Sequence, residues 1–130
     1  MNKLPDFTFI SSTKPSDQQP QPIPLLSSLI ANAFESIGIS KKYTGFRYLV
    51  DFLRISLASR TSRQSYCKTL DIVAALNGTT RDIVDRDTRH ILLSSWKNSP
   101  HLRSALLLTD NHPGAKQILN SLIDYIQGVI

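Results

Sequence analysis

Two arginines at helical spacing are the side chains of this sequence best suited to recognise a ligand. Arg86 and Arg89 lie three positions apart in a segment with helical periodicity, so both project from the same face. The guanidinium group of an arginine can donate two hydrogen bonds to O6 and N7 of a guanine. An acidic neighbour such as Asp85 can orient that group, or accept a hydrogen bond from a cytosine amino group. The pattern therefore favours contact with base edges in DNA.

The same spacing also fits ordinary ion pairs on a helix surface. Asp82 and Arg86 are four residues apart, and so are Asp85 and Arg89. Pairs at this separation stabilise a helix by only about 0.2–0.5 kcal/mol and imply no ligand. The spacing by itself fits DNA readout and surface pairing equally well.

The helix that carries these arginines follows another helix after a short turn. The first helix is predicted to begin at about Lys68, is mostly apolar, and ends at Asn77-Gly78. Either Thr79 or Thr80 can cap the second helix, which continues to about Trp96. Two helices joined in this way form a helix-turn-helix, which directs its second helix into the major groove of DNA. The side of the second helix predicted to pack inward carries Val84, Thr88, Ile91 and Ser95.

Helical periodicity extends through the rest of the chain. Apolar residues recur at steps of three and four from Leu25 onward, and no segment shows sustained alternation with period two. We therefore expect an all-α domain of about six helices over residues 25–130, with the helix-turn-helix at its centre. Residues 1–24 are rich in proline and glutamine and predict a flexible arm. A length of 130 residues suits one domain.

Positive charge is concentrated in the middle of the chain. The formal net charge is +5, but residues 41–103 hold twelve basic and five acidic residues, a net charge of +7. A basic region between mildly acidic ends favours a polyanionic partner. Phosphate contacts are expected from residues at predicted helix ends and connections, namely Lys41, Lys42, Arg60, Arg63, Lys68, Thr79 and Thr80.

The segment Val84-Asp-Arg-Asp-Thr-Arg-His90, with Trp96 six residues further on, resembles a known recognition helix. It is similar to the Val-Glu-Arg-x-x-Arg-His pattern of the effector domain of the master sporulation response regulators of endospore-forming Firmicutes. Ile37-Gly38-Ile39 and Gly45-Phe-Arg-Tyr-Leu49 resemble further segments of that family. The resemblance covers about residues 26–127, and it implies a six-helix DNA-binding domain unlike a winged helix and a role in transcription regulation.

The resemblance also implies roles for individual residues. The positions that it assigns to DNA reading are Arg81, Asp85, Arg86, Arg89 and His90, with Asp85 in place of the family's glutamate. Asp87 adds a negative charge where the family has a small residue. The C-terminal helices of the family support contacts between neighbouring domains on DNA, which implies a homodimer or a tandem arrangement. The interface candidates on the last helix are Leu119, Leu122 and Ile126.

The sequence offers no sign of an enzyme. It lacks a Gly-x-Ser-x-Gly elbow, a glycine-rich phosphate loop and a His-Glu-x-x-His pair. We therefore expect no catalytic activity, no metal, no cofactor and no small-molecule substrate. The single cysteine, Cys67, and the absence of a long apolar run predict a cytoplasmic protein that does not associate with membranes.

Two functions are compatible with these features. The first is a transcription regulator that binds double-stranded DNA with sequence preference. Only the arm precedes the first helix, with no room for the receiver domain of the family, so we expect an effector domain that stands alone. This absence, together with Asp87, favours the alternative of a non-catalytic interaction module that keeps the fold and pairs with or antagonises a related regulator.

Overall fold

The computed structural model describes residues 22–59 and 65–130, and this part of the chain contains six helices and no strand. The helices are α1 (Pro22–Ser36), α2 (Gly45–Ala58), α3 (Tyr66–Leu76), α4 (Arg81–Asn98), α5 (Pro100–Leu106) and α6 (Ala115–Val129). The prediction of an all-α domain with about six helices is therefore confirmed. The arm up to residue 21, together with Arg60 and Arg63, lies outside the described residues.

Two helices begin earlier than the sequence predicted. The first begins at Pro22 instead of Leu25, because proline lacks only an N–H that the first turn of a helix leaves unpaired. The third begins at Tyr66 instead of Lys68, because the Oγ of Ser65 accepts a hydrogen bond from the backbone N–H of Lys68 at 3.1 Å. The second difference places a tyrosine within α3.

The centre of the domain is α4, which packs against α2, α3, α5 and α6. The four residues predicted to face inward, Val84, Thr88, Ile91 and Ser95, are all buried. Trp96 is also buried at the C-terminal end of this helix. The opposite side of α4 consequently has a fixed orientation towards solvent.

The last helix contributes its apolar side to the same core. Leu119, Leu122 and Ile126 are almost completely buried, and α6 packs against α1, α2, α4 and α5. The prediction that these three residues form an interface with another molecule is therefore wrong. An amphipathic helix has an apolar side whether its partner belongs to the same domain or to another molecule, so periodicity cannot distinguish the two cases.

Candidate nucleic-acid interface

A tight turn over residues 77–80 sets the angle between α3 and α4. Gly78 adopts a left-handed backbone conformation with φ of +63°, which a residue without a Cβ atom tolerates. The N–H of Thr79 donates to the carbonyl oxygen of Ala74 at 3.0 Å, which satisfies the end of α3. The Oγ1 of Thr80 then accepts from the N–H of Ile83 at 3.3 Å and caps α4. The predicted capping role of Thr80 is confirmed.

The side of α4 away from the core presents the residues singled out from the sequence. We call this side the exposed face of α4, and it comprises Asp82, Asp85, Arg86, Arg89 and His90. All are exposed except Asp85, which is half-buried. The fold therefore brings the two predicted arginine readers together on one solvent-facing surface.

Arg89 is held by a carboxylate that is itself held from another helix. Its Nε donates to Oδ1 of Asp85 at 3.0 Å, so the surface pair that the separation of four allowed is formed. The hydroxyl of Tyr66, in α3, donates to the same Oδ1 at 2.7 Å. Among the described residues the two Nη groups of Arg89 have no hydrogen-bond partner, and its side chain is 52% exposed. The end of the guanidinium group is free to contact a ligand.

The protonation states of this group follow from its surroundings. Burial, and then the hydrogen bond to Asp85, raise the pKa of Tyr66 well above its ordinary value, so its hydroxyl stays a donor. The hydrogen bond to Asp85 also raises the pKa of Arg89. Tyr66 therefore keeps a neutral donor and Arg89 a cation over the whole physiological pH range.

Arg86 does not make the pair with Asp82 that its spacing allowed. Its Nε donates instead to Oδ1 of the adjacent Asp87 at 3.1 Å. Asp82 lies instead in the first turn of α4, where a negative charge is favourable beside the N-terminal N–H groups. Arg86 is more exposed than Arg89, at 71% of its side chain, and its Nη groups have no partner within the described part of the chain. Asp87 thus restrains an arginine as well as adding negative charge.

Arg81 makes a two-point contact with the preceding helix. Its Nε and Nη2 donate to the two carboxylate oxygens of Asp71, at 2.7 and 2.8 Å. This hydrogen bond raises the pKa of Arg81 and lowers the pKa of Asp71. The pair joins α3 to α4 across the turn through the Nε–Nη2 edge of the guanidinium group, and its Nη1–Nη2 edge is not used by Asp71.

A comparison with protein families matches residues 30–126 to the family described as Spo0A_C, the C-terminal domain of the sporulation initiation factor Spo0A. The match covers most of the chain and includes the helix-turn-helix and the exposed face of α4. The chain belongs to the Spo0A_C family. This is a family of sporulation-related DNA-binding effector domains, which are transcription regulators and not enzymes. Neither a curated protein nor a solved structure gives a significant match.

The remaining candidates of this Spo0A_C domain surround the exposed face of α4. His90 packs against the ring of Tyr43, with ring centroids 5.6 Å apart, and so places the turn before α2 beside α4. That turn carries Lys42 and also Lys41, whose Nζ lies 3.0 Å from a carboxylate oxygen of Glu35. Lys68 is exposed in the first turn of α3, and Thr79 is half-buried in the turn before α4. Basic side chains therefore lie in the turn that contacts α4 through His90 and in the first turn of α3.

Two residues that position this surface were not recognised from the sequence. Tyr66 contacts the α4 carboxylate from 19 positions away, a separation with no periodic signal. Gly45 begins α2 where that helix meets the backbone of α4, and a Cβ atom there would collide with the carbonyl oxygen of Asp87. The resemblance to the family included Gly45, but the reason for a glycine at this position is a contact between helices.

Other kinds of site find little support in the described residues. Within residues 22–59 and 65–130, no group of three or more histidine, cysteine or acidic side chains is arranged to hold a metal ion. None of the helices found there has both the length and the apolar character needed to cross a membrane.

Proposed function

We propose that this Spo0A_C domain binds double-stranded DNA with sequence preference and regulates transcription by inserting the exposed face of α4 into the major groove. One observation carries the proposal. Arg86 and Arg89 lie on one side of the second helix of a helix-turn-helix, and each has its Nε bound to an aspartate while its Nη groups have no partner in residues 22–59 and 65–130. A guanidinium group restrained in this way is prepared to donate two hydrogen bonds to a guanine.

The surrounding residues fit supporting roles in the same complex. Asp85 holds Arg89 and can accept from a cytosine amino group through its other oxygen, and His90 flanks the readers. Arg81 contacts the DNA backbone or an outer base through the donors that Asp71 leaves free. The contacts proposed for the phosphates come from Lys41, Lys42, Lys68, Thr79 and Thr80, and from Arg60 and Arg63 outside the described residues.

Two copies are proposed to bind neighbouring half-sites, as a homodimer or in tandem. Because Leu119, Leu122 and Ile126 belong to the core, such a contact must use other residues. The stoichiometry on duplexes with one or two copies of the selected motif tests this part of the proposal. Because the proposed partner is chromosomal DNA, we propose that the domain works in the cytoplasm.

Selection from a random duplex pool tests sequence preference directly. The purified protein is mixed with the pool at low and at moderate salt, and the retained DNA is sequenced. An enriched motif supports the proposal. Retention without enrichment would indicate a general nucleic-acid binder, and the absence of any salt-dependent retention would indicate an interaction module without DNA binding.

Two alanine variants then separate base contacts from phosphate contacts. Arg86→Ala should cost about 1–3 kcal/mol of binding free energy on the selected motif and relax the preference at one base position. Lys68→Ala should weaken binding to all DNA sequences alike and reduce the slope of log affinity against log salt concentration by about 1. If Arg86→Ala binds every duplex as the wild type does, the assignment of the exposed face of α4 is wrong.

A further inference from the structure

Tyr66 occupies an unusual position for a residue outside the recognition helix. Its ring lies 5.5 Å from the ring of Phe52 in α2, measured between centroids, and the Nζ of Lys116 in α6 lies 4.8 Å from its centre. Its own helix, α3, together with α2 and α6, therefore fixes where its hydroxyl points. That hydroxyl reaches Oδ1 of Asp85 in α4 at 2.7 Å.

The contact determines how the carboxylate meets the arginine. Oδ1 of Asp85 accepts from both Tyr66 and the Nε of Arg89, whereas Oδ2 has no partner among the described residues. A carboxylate held by Arg89 alone can rotate about its χ2 angle and exchange its two oxygens, because exposed ion pairs are weakly ordered. The second hydrogen bond restricts that rotation and with it the direction of the guanidinium group.

We infer that Tyr66 is a specificity-determining positioning residue that acts through Asp85 to aim Arg89 at one base. The inference rests on the proposed DNA binding by the exposed face of α4. Tyr66 itself touches no base, because its hydroxyl is committed to Asp85 and its ring is packed between other helices. Its contribution is to lower the cost of ordering Arg89 when the preferred base is bound.

The test is the variant Tyr66→Phe, which keeps the ring contacts and removes only the hydroxyl. The measured quantity is the affinity for the selected motif divided by the affinity for the motif changed at the base that Arg89 reads. We expect this ratio to fall about tenfold, which is a typical effect of losing a hydrogen bond to a charged group. The salt slope should not change, because no phosphate contact is lost. Tyr125→Phe, at another half-buried tyrosine, is the matched control and should leave the ratio unchanged.

A double-mutant cycle distinguishes positioning from a merely structural role. In the Arg89→Ala background, Tyr66→Phe should have no further effect on base preference, because the side chain that it positions is absent. An equal effect of Tyr66→Phe with and without Arg89 would overturn the inference. So would an unchanged affinity ratio for the single variant.

The outcome for the wild type separates this inference from the proposed function. If the wild type selects no motif, both fail. If the wild type selects a motif that loses its preference in Arg89→Ala but keeps it in Tyr66→Phe, DNA readout stands and only the role of Tyr66 is overturned. Thermal unfolding of each variant verifies that the fold is retained.

Discussion

The start of α4 and its middle each carry an arginine bound to an aspartate, but the two arginines differ in what they leave available. Arg81 donates from Nε and Nη2 to both oxygens of Asp71, so two of its donors are committed to another helix. Arg89 donates only from Nε to Asp85, and its two Nη groups have no partner among the described residues. The two arginine–aspartate pairs therefore have similar hydrogen-bond distances but different arrangements. The first pair joins two helices, whereas the second lies within one helix and, in the proposed function, prepares a side chain for a base.

The largest effect is expected from a substitution in the core that supports both regions of α4. Leu122→Ala should lower the free energy of unfolding by about 2–5 kcal/mol, because Leu122 is completely buried beneath α4 and the cavity would not collapse fully. Urea denaturation measures the change. Leu107→Ala, at a leucine that is 82% exposed, is the control and should change stability little. A Leu122→Ala protein of unchanged stability but altered oligomeric state would restore the interface assignment.

The next effect compares the two arginines directly. Arg89→Ala should cost about 1–3 kcal/mol of binding free energy on the selected motif and relax the preference at one position. Arg81→Ala should weaken binding to all sequences and keep the selected motif, because the two-point contact with Asp71 holds Arg81 at the start of α4, where we expect it to contact the DNA backbone. Selection from the random pool with each variant provides the measurement. Loss of one base preference in Arg81→Ala would show that Arg81 reads an outer base and does not contact the backbone alone.

A smaller effect concerns the buried side of α4, between the two regions. The Oγ1 of Thr88 is buried and has no hydrogen-bond partner among the described residues. Thr88→Val replaces this hydroxyl by a methyl group of similar shape and should stabilise the fold by about 1 kcal/mol. DNA preference should not change, because the exposed face keeps all its side chains. A destabilised Thr88→Val protein would indicate that the hydroxyl does have a partner.

The smallest effect is the pH dependence of the Asp71–Arg81 pair. The pKa of Asp71 is lower in the folded state than in the unfolded chain, so the pair contributes stability above the unfolded pKa of about 4 and loses it as the pH falls through the folded pKa. Both side chains are about half exposed, so the contribution is small. Urea midpoints of the wild type and Asp71→Asn should differ at pH 6 and converge at lower pH. A constant difference would show that the pair does not act through its charge.

Much of the fold could be predicted because helices are local structures. Residues three and four positions apart determine which side of α4 is buried, and Val84 and Ile91 were assigned correctly on that basis. The turn at Gly78 and the cap at Thr80 also depend on neighbouring residues only. The helix start at Pro22 was missed because proline usually indicates an irregular segment, although the first turn of a helix accepts it.

The candidate site could be predicted only in part. The exposed face of α4 was recognised from spacing and from the resemblance of residues 84–90 to a family pattern, and the family match over residues 30–126 agrees. The partner of Arg86 could not be predicted, because spacing allowed a pair with Asp82 whereas its side chain binds the adjacent Asp87. The role of Leu122 was also wrong, because the sequence does not show what an apolar side packs against.

The sequence by itself determined the helices, the turn, the basic middle region and the side of α4 that faces solvent, because each depends on residues close together in the chain. Only the tertiary structure decided that Arg81 is bound to another helix whereas Arg89 is bound within its own. Asp71 reaches Arg81, and Tyr66 reaches Asp85, through the packing of α3 against α4. Contacts between helices depend on their crossing geometry, which no local pattern specifies.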